Sequence, residues 1–167
     1  MRNTVTVLTV VSALALAGCA SKPKELPPQP ATVDGSGQVP PATGPIPGSN
    51  ADFLAQMQGR NVIYFDTDKF DIDADDANAL RTQAQWLQRY PNKRATIEGH
   101  ADERGTREYN IALGERRANS AKNYLVSLGI DAGRLGTVSY GKERPVALGS
   151  NESAWAQNRR AVTITID

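Results

Sequence analysis

Regularly spaced apolar residues beyond residue 60 predict an alternation of strands and helices. The β-branched and aromatic run at residues 61–65 predicts a first strand. A helix is predicted next, because Asp73 is a good N-cap and Pro91 marks the end of the helix. Apolar residues recur between them at helical spacing: Ala77, Leu80, Ala84 and Leu87. Trp86 lies opposite this stripe, so we expect an exposed side chain that is either incidental or a partner contact.

The rest of the chain continues the alternation. Residues 95–101 predict a second strand, and a long helix runs from about residue 106 to residue 128, where Gly129 ends it. Three further elements follow, which are a strand at 137–140, a short helix at 151–157 and a strand of alternating Ala/Thr and Val/Ile at 161–166. The order β-α-β-α-β-(α)-β predicts an α/β (α+β) two-layer sandwich with its helices on one face of the sheet.

The long helix has one apolar face and one unusual cation. Its core stripe consists of Ile111, Ala118, Ala121, Leu125 and Leu128. Arg116 points away from this stripe to solvent, whereas Arg117 lies on its shoulder, beside Asn110 and Leu113. A guanidinium at such a position is partly desolvated and therefore needs a carboxylate partner, from the protein or from a ligand.

The junction between the second strand and the long helix carries the strongest functional signal. The strand delivers Asp102 to a Gly-containing turn, and this carboxylate is the nearest one in sequence that could reach Arg117. Such a pair suits a small zwitterion, because an ammonium binds the carboxylate and a carboxylate binds the guanidinium fork. A purely structural ion pair between Asp102 and Arg117 explains the spacing equally well, so both interpretations stay open.

The first residues have the pattern of a bacterial lipoprotein signal. Arg2 is followed by an apolar stretch at residues 4–17, too short to span a bilayer, and by the cleavage pattern Leu-Ala-Gly-Cys that ends at Cys19. Because Cys19 is the only cysteine, it cannot form an intramolecular disulfide. We expect residues 1–18 to be removed and Cys19 to carry acyl chains. The small neutral Ala20 favours delivery to the outer membrane, with the domain facing the periplasm.

Residues 19–50 have the composition of a flexible linker. Eight of the ten prolines lie between Pro23 and Pro47, mixed with small and polar residues that cannot build a core. The sequence therefore predicts one domain, residues 51–167, behind a tether. The formal net charge is only +1, which argues against nucleic acid as a partner.

Metal and catalytic sites are poorly supported. The acidic run at residues 66–73 breaks the calcium-loop rule at Phe70 and Ala77. His100 is the sole histidine, and no serine or cysteine nucleophile lies in a recognisable elbow, so a structural histidine is favoured over a hydrolase site with Asp102 and Glu103. We expect neither a metal nor a cofactor. The role of the Asn-Arg-Arg string at 158–160 stays open.

Several strings resemble those of a known family. Asp102, Asn110-x-x-Leu113 and Arg117-Ala118 resemble the peptidoglycan-binding signature of OmpA-like C-terminal domains. Four longer strings, at 64–72, 98–106, 114–119 and 139–143, are similar more narrowly to the peptidoglycan-associated lipoproteins of that family. The likeness covers about residues 60–167. One departure from the broad family is Gly114, where many members have serine.

The resemblance implies a non-enzymatic domain that binds peptidoglycan without cleaving it. Arg117 would take a carboxylate of diaminopimelate in the stem peptide, and Asp68 and Asp102 would take its ammonium. Other pocket residues implied by the family are Phe70, Asn110 and Leu113. The resemblance also implies a Tol–Pal-like envelope system with TolB as protein partner, for which the turn at Glu103 and Arg104 is a candidate docking point. A cell-wall hydrolase or amidase and a non-binding envelope scaffold are the alternatives.

Overall fold

The structure is a computed structural model, and it describes residues 44–167. The predicted signal, Cys19 and most of the predicted linker lie outside the described residues. The described elements are α1 (Asn50–Met57), β1 (Val62–Tyr64), α2 (Ala74–Arg89), β2 (Arg94–His100), α3 (Arg107–Ser127), a 3-10 turn (Ala132–Arg134), β3 (Leu135–Gly141), α4 (Glu152–Asn158) and β4 (Arg160–Ile166).

The four strands form one open sheet in the order β1-β4-β2-β3. Strand β4 is antiparallel to both of its neighbours, whereas β2 and β3 are parallel. At the centre of the sheet, Glu98 of β2 pairs with Val162 on one side and Val138 on the other. The predicted α/β two-layer sandwich is confirmed, and each predicted element occurs within a few residues of its expected place.

Helices α2 and α3 pack on one face of the sheet and enclose the core. The apolar stripe of α2 is confirmed, because Leu80 and Leu87 have no accessible surface and Ala84 is 3% exposed. Asp73 caps α2 as predicted, since its side chain accepts a hydrogen bond from the backbone N–H of Asp76 at 2.8 Å.

The first helix was not predicted, and it changes the environment of Trp86. Phe53 and Met57 of α1 are buried and cover the outer face of α2. The Trp86 ring lies edge-on to Phe53 with centroids 5.0 Å apart, and its Nε1 donates to Asp52 at 3.0 Å. The expected exposure of Trp86 is therefore wrong, since this residue is 2% exposed. The end of the predicted linker also joins this layer, because Gly48 is buried and lies against the Tyr90 ring.

Helix α3 approaches the sheet unusually closely at a pair of glycines. The backbone of Gly114 contacts that of Gly99 on β2, and a Cβ atom at either residue would clash with backbone or with Ser139. This contact explains why the chain has Gly114 rather than a larger residue. Two small residues of β4, Ala161 and Thr163, are buried, each 2% exposed. Their small side chains are compatible with the close approach of α3 to the sheet. Arg117 lies nearly one helical turn beyond Gly114 and is therefore pressed against the end of β2.

No helix among residues 44–167 is both long and apolar enough to cross a membrane.

Candidate functional site

The predicted site residues meet in a cavity of about 260 Å³ at the carboxyl end of β2. The loop after β1, the turn between β2 and α3, and the first half of α3 form its walls. Its lining residues are Thr67, Asp68, Ala101, Asp102, Arg104, Gly105, Tyr109, Asn110, Leu113 and Arg117. Of the predicted pocket residues, the structure brings together Asp68, Asp102, Asn110, Leu113 and Arg117, whereas Phe70 does not line the cavity. Of the predicted docking residues, Arg104 lines the cavity and Glu103 does not.

Arg117 forms the floor of the cavity and is held by backbone carbonyl groups. Its Nε donates to Lys69 O at 2.9 Å, Nη1 to His100 O at 2.8 Å and Nη2 to Asp66 O at 3.0 Å. The guanidinium also lies 5.2 Å from the centroid of the Phe65 ring, and the residue has no accessible surface. Arg117 therefore ties the loop after β1 to the end of β2.

The positive charge of Arg117 is not matched by a carboxylate contact. Within residues 44–167, no ion pair joins Arg117 to an acidic side chain; the nearby Asp102 pairs with Arg104 and Arg159 instead. Burial lowers the pKa of Arg117 to about 10, and the charge of Arg159 adds to this effect, so the guanidinium is still protonated at neutral pH. The direct Asp102–Arg117 ion pair that the sequence left open is absent from this part of the chain.

Asp102 is buried and is bound mainly by its near neighbour Arg104. Oδ1 accepts from the Arg104 backbone N and from its Nε, both at 3.0 Å, and Oδ2 accepts from Nη2 at 2.7 Å. Nη1 of Arg159 lies 3.6 Å from Oδ2 on the other side. Burial alone would raise the pKa of Asp102, but the hydrogen bonds and charge of Arg104 outweigh it, so the net shift is downward.

Asp68 also lines the cavity, and it is exposed. It has φ of 57°, in the left-handed region, at the third position of a turn closed by Lys69 N donating to Asp66 O at 3.2 Å. Aspartate tolerates this region better than most residues. Its Oδ1 accepts a hydrogen bond from the Tyr109 hydroxyl at 3.1 Å.

Asn110 and Leu113 shape the remaining wall. Asn110 is 2% exposed, and its Nδ2 donates to the carbonyl of Arg104 at 2.7 Å, which fixes the turn before α3. The same turn is held from outside by Lys142, whose Nζ donates to Gly105 O at 2.7 Å. Leu113, 3% exposed, adds an apolar surface to the lining of the cavity.

Phe70 and Arg116 lie together outside the cavity. The Phe70 ring is 37% exposed, and the Arg116 guanidinium lies 5.5 Å from its centroid. Arg116 is exposed, as the helical pattern predicted.

The turn at Glu103 and Arg104 forms a polar rim together with Trp155 of α4. The exposed Glu103 carboxylate accepts from Trp155 Nε1 at 3.0 Å, and the Arg104 guanidinium lies 4.2 Å from the centroid of the Trp155 ring. Arg104 also donates to the hydroxyl of Thr67 at 3.2 Å. Arg104 therefore belongs both to the cavity wall and to the outer surface around α4.

A second, larger cavity of about 500 Å³ lies on the other side of the loop after β1, next to α4. Most of its charged groups already have partners; Asp71, which is exposed, is the exception among the described residues. Lys69 pairs with Asp66 at 3.0 Å, Asp73 caps α2, and Arg159 donates to Phe65 O at 2.9 Å and to Glu152 at 2.7 Å. Because the described residues of this cavity include no buried charge without an ionic partner comparable to Arg117, it is a weaker candidate for an ionic ligand.

His100 is a buried histidine outside the cavity. It is 1% exposed, its ring stacks on Tyr140 with centroids 5.6 Å apart, and neither ring nitrogen has a hydrogen-bond partner among the described residues. Burial, with the charges of Arg160 and Arg144, lowers its pKa to about 4. Its imidazole is thus neutral at pH 7, and only its backbone carbonyl contacts a site residue.

Sequence reasoning missed two residues of the site. Arg159 comes from the Asn-Arg-Arg string whose role was left open, and its buried guanidinium supports Asp102 from the far side. Tyr109 directly precedes Asn110 of the signature. Its position in the first turn of α3 was the signal that could have placed it at the site. For Arg159 the only signal was an arginine pair at the start of a strand.

Comparisons with known proteins identify relatives of this chain. The model of the OmpA family matches residues 64–159. The "Peptidoglycan-associated lipoprotein" of Rhizobium meliloti (strain 1021) is 53% identical over 163 residues, which cover 98% of this chain and 88% of that protein. The protein of the same name from Haemophilus influenzae is 51% identical over 110 residues, covering 65% of this chain and 72% of that protein.

Solved structures extend the likeness to the fold. The crystal structure of the peptidoglycan-associated lipoprotein from Burkholderia pseudomallei has a TM-score of 0.65 and 40% identity, and the match covers 69% of this chain and 100% of that chain. The C-terminal domain of Helicobacter pylori MotB has a TM-score of 0.59 at 19% identity, covering 64% of this chain and 84% of that chain. At that identity the second likeness concerns the fold alone.

Proposed function

We propose that this chain, which belongs to the peptidoglycan-associated lipoproteins of the OmpA family, binds peptidoglycan non-covalently and links the outer membrane to the cell wall. The ligand proposed for the cavity is the diaminopimelate residue of the stem peptide. Its side chain ends in an ammonium and a carboxylate on one carbon, so it presents opposite charges close together. The cavity has the matching arrangement, with carboxylates on its walls and a guanidinium at its floor.

The observation that carries this proposal is the state of Arg117. A fully buried guanidinium normally lies against a carboxylate, because burying an unmatched charge is costly. Arg117 contacts three backbone carbonyls instead, and so retains positive charge for an incoming anion. A guanidinium has five N–H donors, and these three bonds leave others for the ligand's carboxylate.

Access to Arg117 involves the loop after β1. Because Arg117 has no accessible surface, direct contact with a ligand requires a small movement of residues 66–69, whose carbonyl groups cover it. Asp68 lies in the same loop and Asp102 lies across the cavity, so both are placed to take the ammonium. Leu113 and Asn110 would contact the aliphatic part of the ligand and fix its depth.

The attachment of the domain follows from the sequence. We propose that residues 1–18 are removed, that acylated Cys19 anchors the protein in the outer membrane, and that residues 19–50, apart from their end at Gly48, which packs against Tyr90, form the tether to a periplasmic domain. More than one acyl chain is needed for stable anchoring. Replacing Cys19 by serine should release the protein from outer-membrane fractions, and unchanged membrane recovery would contradict the anchor.

A place in a Tol–Pal-like system, with TolB as protein partner, is proposed from family membership. The rim at Glu103 and Trp155 offers a surface for such contact, since both side chains border the cavity through Arg104. Charge reversal at Glu103 should then weaken TolB binding more than peptidoglycan binding. Equal effects on both would count against a separate partner surface.

Binding without cleavage is tested by co-sedimentation with purified cell-wall sacculi. The chain should sediment with sacculi of the diaminopimelate type, be released by soluble diaminopimelate stem peptide, and bind poorly to sacculi of the lysine type, which lack the second carboxylate. A zymogram on the same sacculi should show no clearing. Sedimentation that soluble stem peptide does not reduce would refute the proposed ligand, and clearing would support the hydrolase alternative.

A further inference from the structure

Strand β3 forms one edge of the sheet, and among residues 44–167 it pairs only with β2. Within that range, the backbone groups of residues 136–139 make no hydrogen bond outside this ladder. The strand has seven residues and contains neither proline nor a charged side chain, the features that commonly protect an edge from further pairing. The opposite edge, β1, has only three residues. The outer side of β3 is therefore free to accept another strand.

The flank of α3 on the β3 side is also without a neighbour in the described part of the chain. Helix α3 contacts β3 at two levels, because Thr137 Oγ1 donates to Asn119 Oδ1 at 3.4 Å and Ser139 Oγ donates to Ile111 O at 2.7 Å. The opposite flank of α3 meets α2 instead. Five half-buried or exposed residues at helical spacing form the β3-side flank: Ile111, Glu115, Asn119, Lys122 and Val126.

The β3-side flank is complementary to a second copy of itself. Glu115 and Lys122 are two turns apart, about 10 Å along the axis, so they cannot pair with each other. Within residues 44–167, neither of them forms an ion pair with any other residue. Two antiparallel copies of α3, related by a two-fold axis beside Asn119, would bring Glu115 of each copy opposite Lys122 of the other. The same axis would bring Ile111 opposite Val126.

The strand edge obeys the same two-fold axis. Asn119 contacts Thr137, so the axis also passes beside Thr137 of β3. Antiparallel pairing of two β3 strands about Thr137 would place both α3 helices on the same face of one continuous sheet, because directly opposite residues point to the same side. Since α3 lies over β2 and β3 and neighbouring strands are about 4.8 Å apart, the two helices would be about 10 Å apart. This is a normal distance for packed helices.

We propose that this chain forms a two-fold symmetric dimer through β3 and the β3-side flank of α3, so that a second copy of the chain occupies the open edge. Such an interface uses the same surface on both copies and closes on itself, which leaves β3 with no free edge. The cavity at the carboxyl end of β2 stays open, because its walls include the loop after β1 on the other side of α3. The dimer thus presents two cavities, and its formation does not depend on the proposed ligand.

The test is cysteine cross-linking of the full chain in the cells that produce it. Asn119→Cys places one thiol from each copy beside the axis, with Cα atoms roughly 5 Å apart, within the range of a disulfide. Mild oxidation should give a species of twice the mass of the chain. The parent, which keeps Cys19, and Gln85→Cys, at an exposed position of α2, are the controls and should give none.

Charge exchange tests the interface itself. In the Asn119→Cys background, Glu115→Lys should lower the cross-linked fraction roughly fivefold or more, because symmetry turns two attractions into two repulsions. Adding Lys122→Glu should restore the fraction, since the exchanged charges pair again. This recovery would also show that the single variant folds. Arg81→Glu, an exposed charge reversal on α2, should leave the fraction unchanged.

Several outcomes would overturn the inference. Absence of cross-linking in Asn119→Cys, or equal cross-linking of Gln85→Cys, would mean that no specific dimer forms at this edge. An unchanged fraction in Glu115→Lys, or no recovery when Lys122→Glu is added, would mean that the β3-side flank of α3 is not the interface. None of these results bears on peptidoglycan binding, which the sedimentation experiment with sacculi tests separately.

Discussion

Replacing Arg117 by lysine should weaken both the fold and ligand binding. Lysine keeps the positive charge, but a single ammonium cannot reproduce the planar fork that reaches the carbonyls of Asp66, Lys69 and His100. We expect at least two of these acceptors to lose their partner. A buried acceptor left without one costs about 1–3 kcal/mol, so the free energy of unfolding should fall by about 2–6 kcal/mol.

Urea denaturation measures this loss. The midpoint should fall while the slope of unfolding free energy against urea stays close to that of the parent, because the exposed area on unfolding is little changed. Arg81→Lys is the matched control, since Arg81 is exposed and, within the part of the chain that the structure describes, bonds only to Asn78 of its own helix. That variant should stay within about 0.5 kcal/mol of the parent.

Binding is then measured without denaturant on the folded fraction of Arg117→Lys. We expect affinity for the stem peptide to fall by about tenfold or more, in line with the loss of a charged hydrogen bond. Unchanged stability would refute the view that Arg117 ties the loop after β1 to β2. Full affinity in a folded Arg117→Lys protein would refute its role as the fork that receives a carboxylate.

Three further outcomes follow from the packing. Gly99→Ala should lower the free energy of unfolding by roughly 1–3 kcal/mol or more through its clash with α3, and an unchanged urea midpoint would contradict the close contact. Because His100 is buried as the neutral form, the parent should be fully stable above pH 6.5 and should lose about 3 kcal/mol of unfolding free energy between pH 6.5 and pH 4. The difference in unfolding free energy between the parent and His100→Phe should change by that amount over this range, and a constant difference would refute the lowered pKa of His100. Trp86→Phe should lower the free energy of unfolding by about 1–3 kcal/mol because it removes the bond to Asp52 and part of the contact with α1; an unchanged urea midpoint would mean that α1 contributes little.

The order of elements could be predicted from the sequence because strand and helix spacings are long and regular there. Helix α1 could not, since it has eight residues and only Phe53 and Met57 are buried. Two apolar residues one turn apart, next to a proline-rich stretch, do not make a periodic signal. The error at Trp86 has the same origin, because the residue faces this helix rather than the sheet.

The composition of the site could be predicted, but its pairing could not. Asp102 and Arg117 both line the cavity as expected, yet Asp102 pairs with Arg104, two residues along the same turn. Arg159 reaches the same carboxylate from the far end of the chain. Which of several cations approaches one anion depends on the path of the backbone in three dimensions, and spacing along a helix does not contain that information.

The central claim, that this cavity binds diaminopimelate, is tested most directly by a structure of the protein with the tripeptide L-alanyl-γ-D-glutamyl-meso-diaminopimelate bound. We expect the ligand's side-chain carboxylate to lie within hydrogen-bond distance of Arg117, its ammonium to lie beside Asp68 and Asp102, and residues 66–69 to be slightly displaced. A tripeptide bound in the larger cavity beside Tyr64 and Gln157, or a vacant first cavity at saturating tripeptide, would contradict the claim.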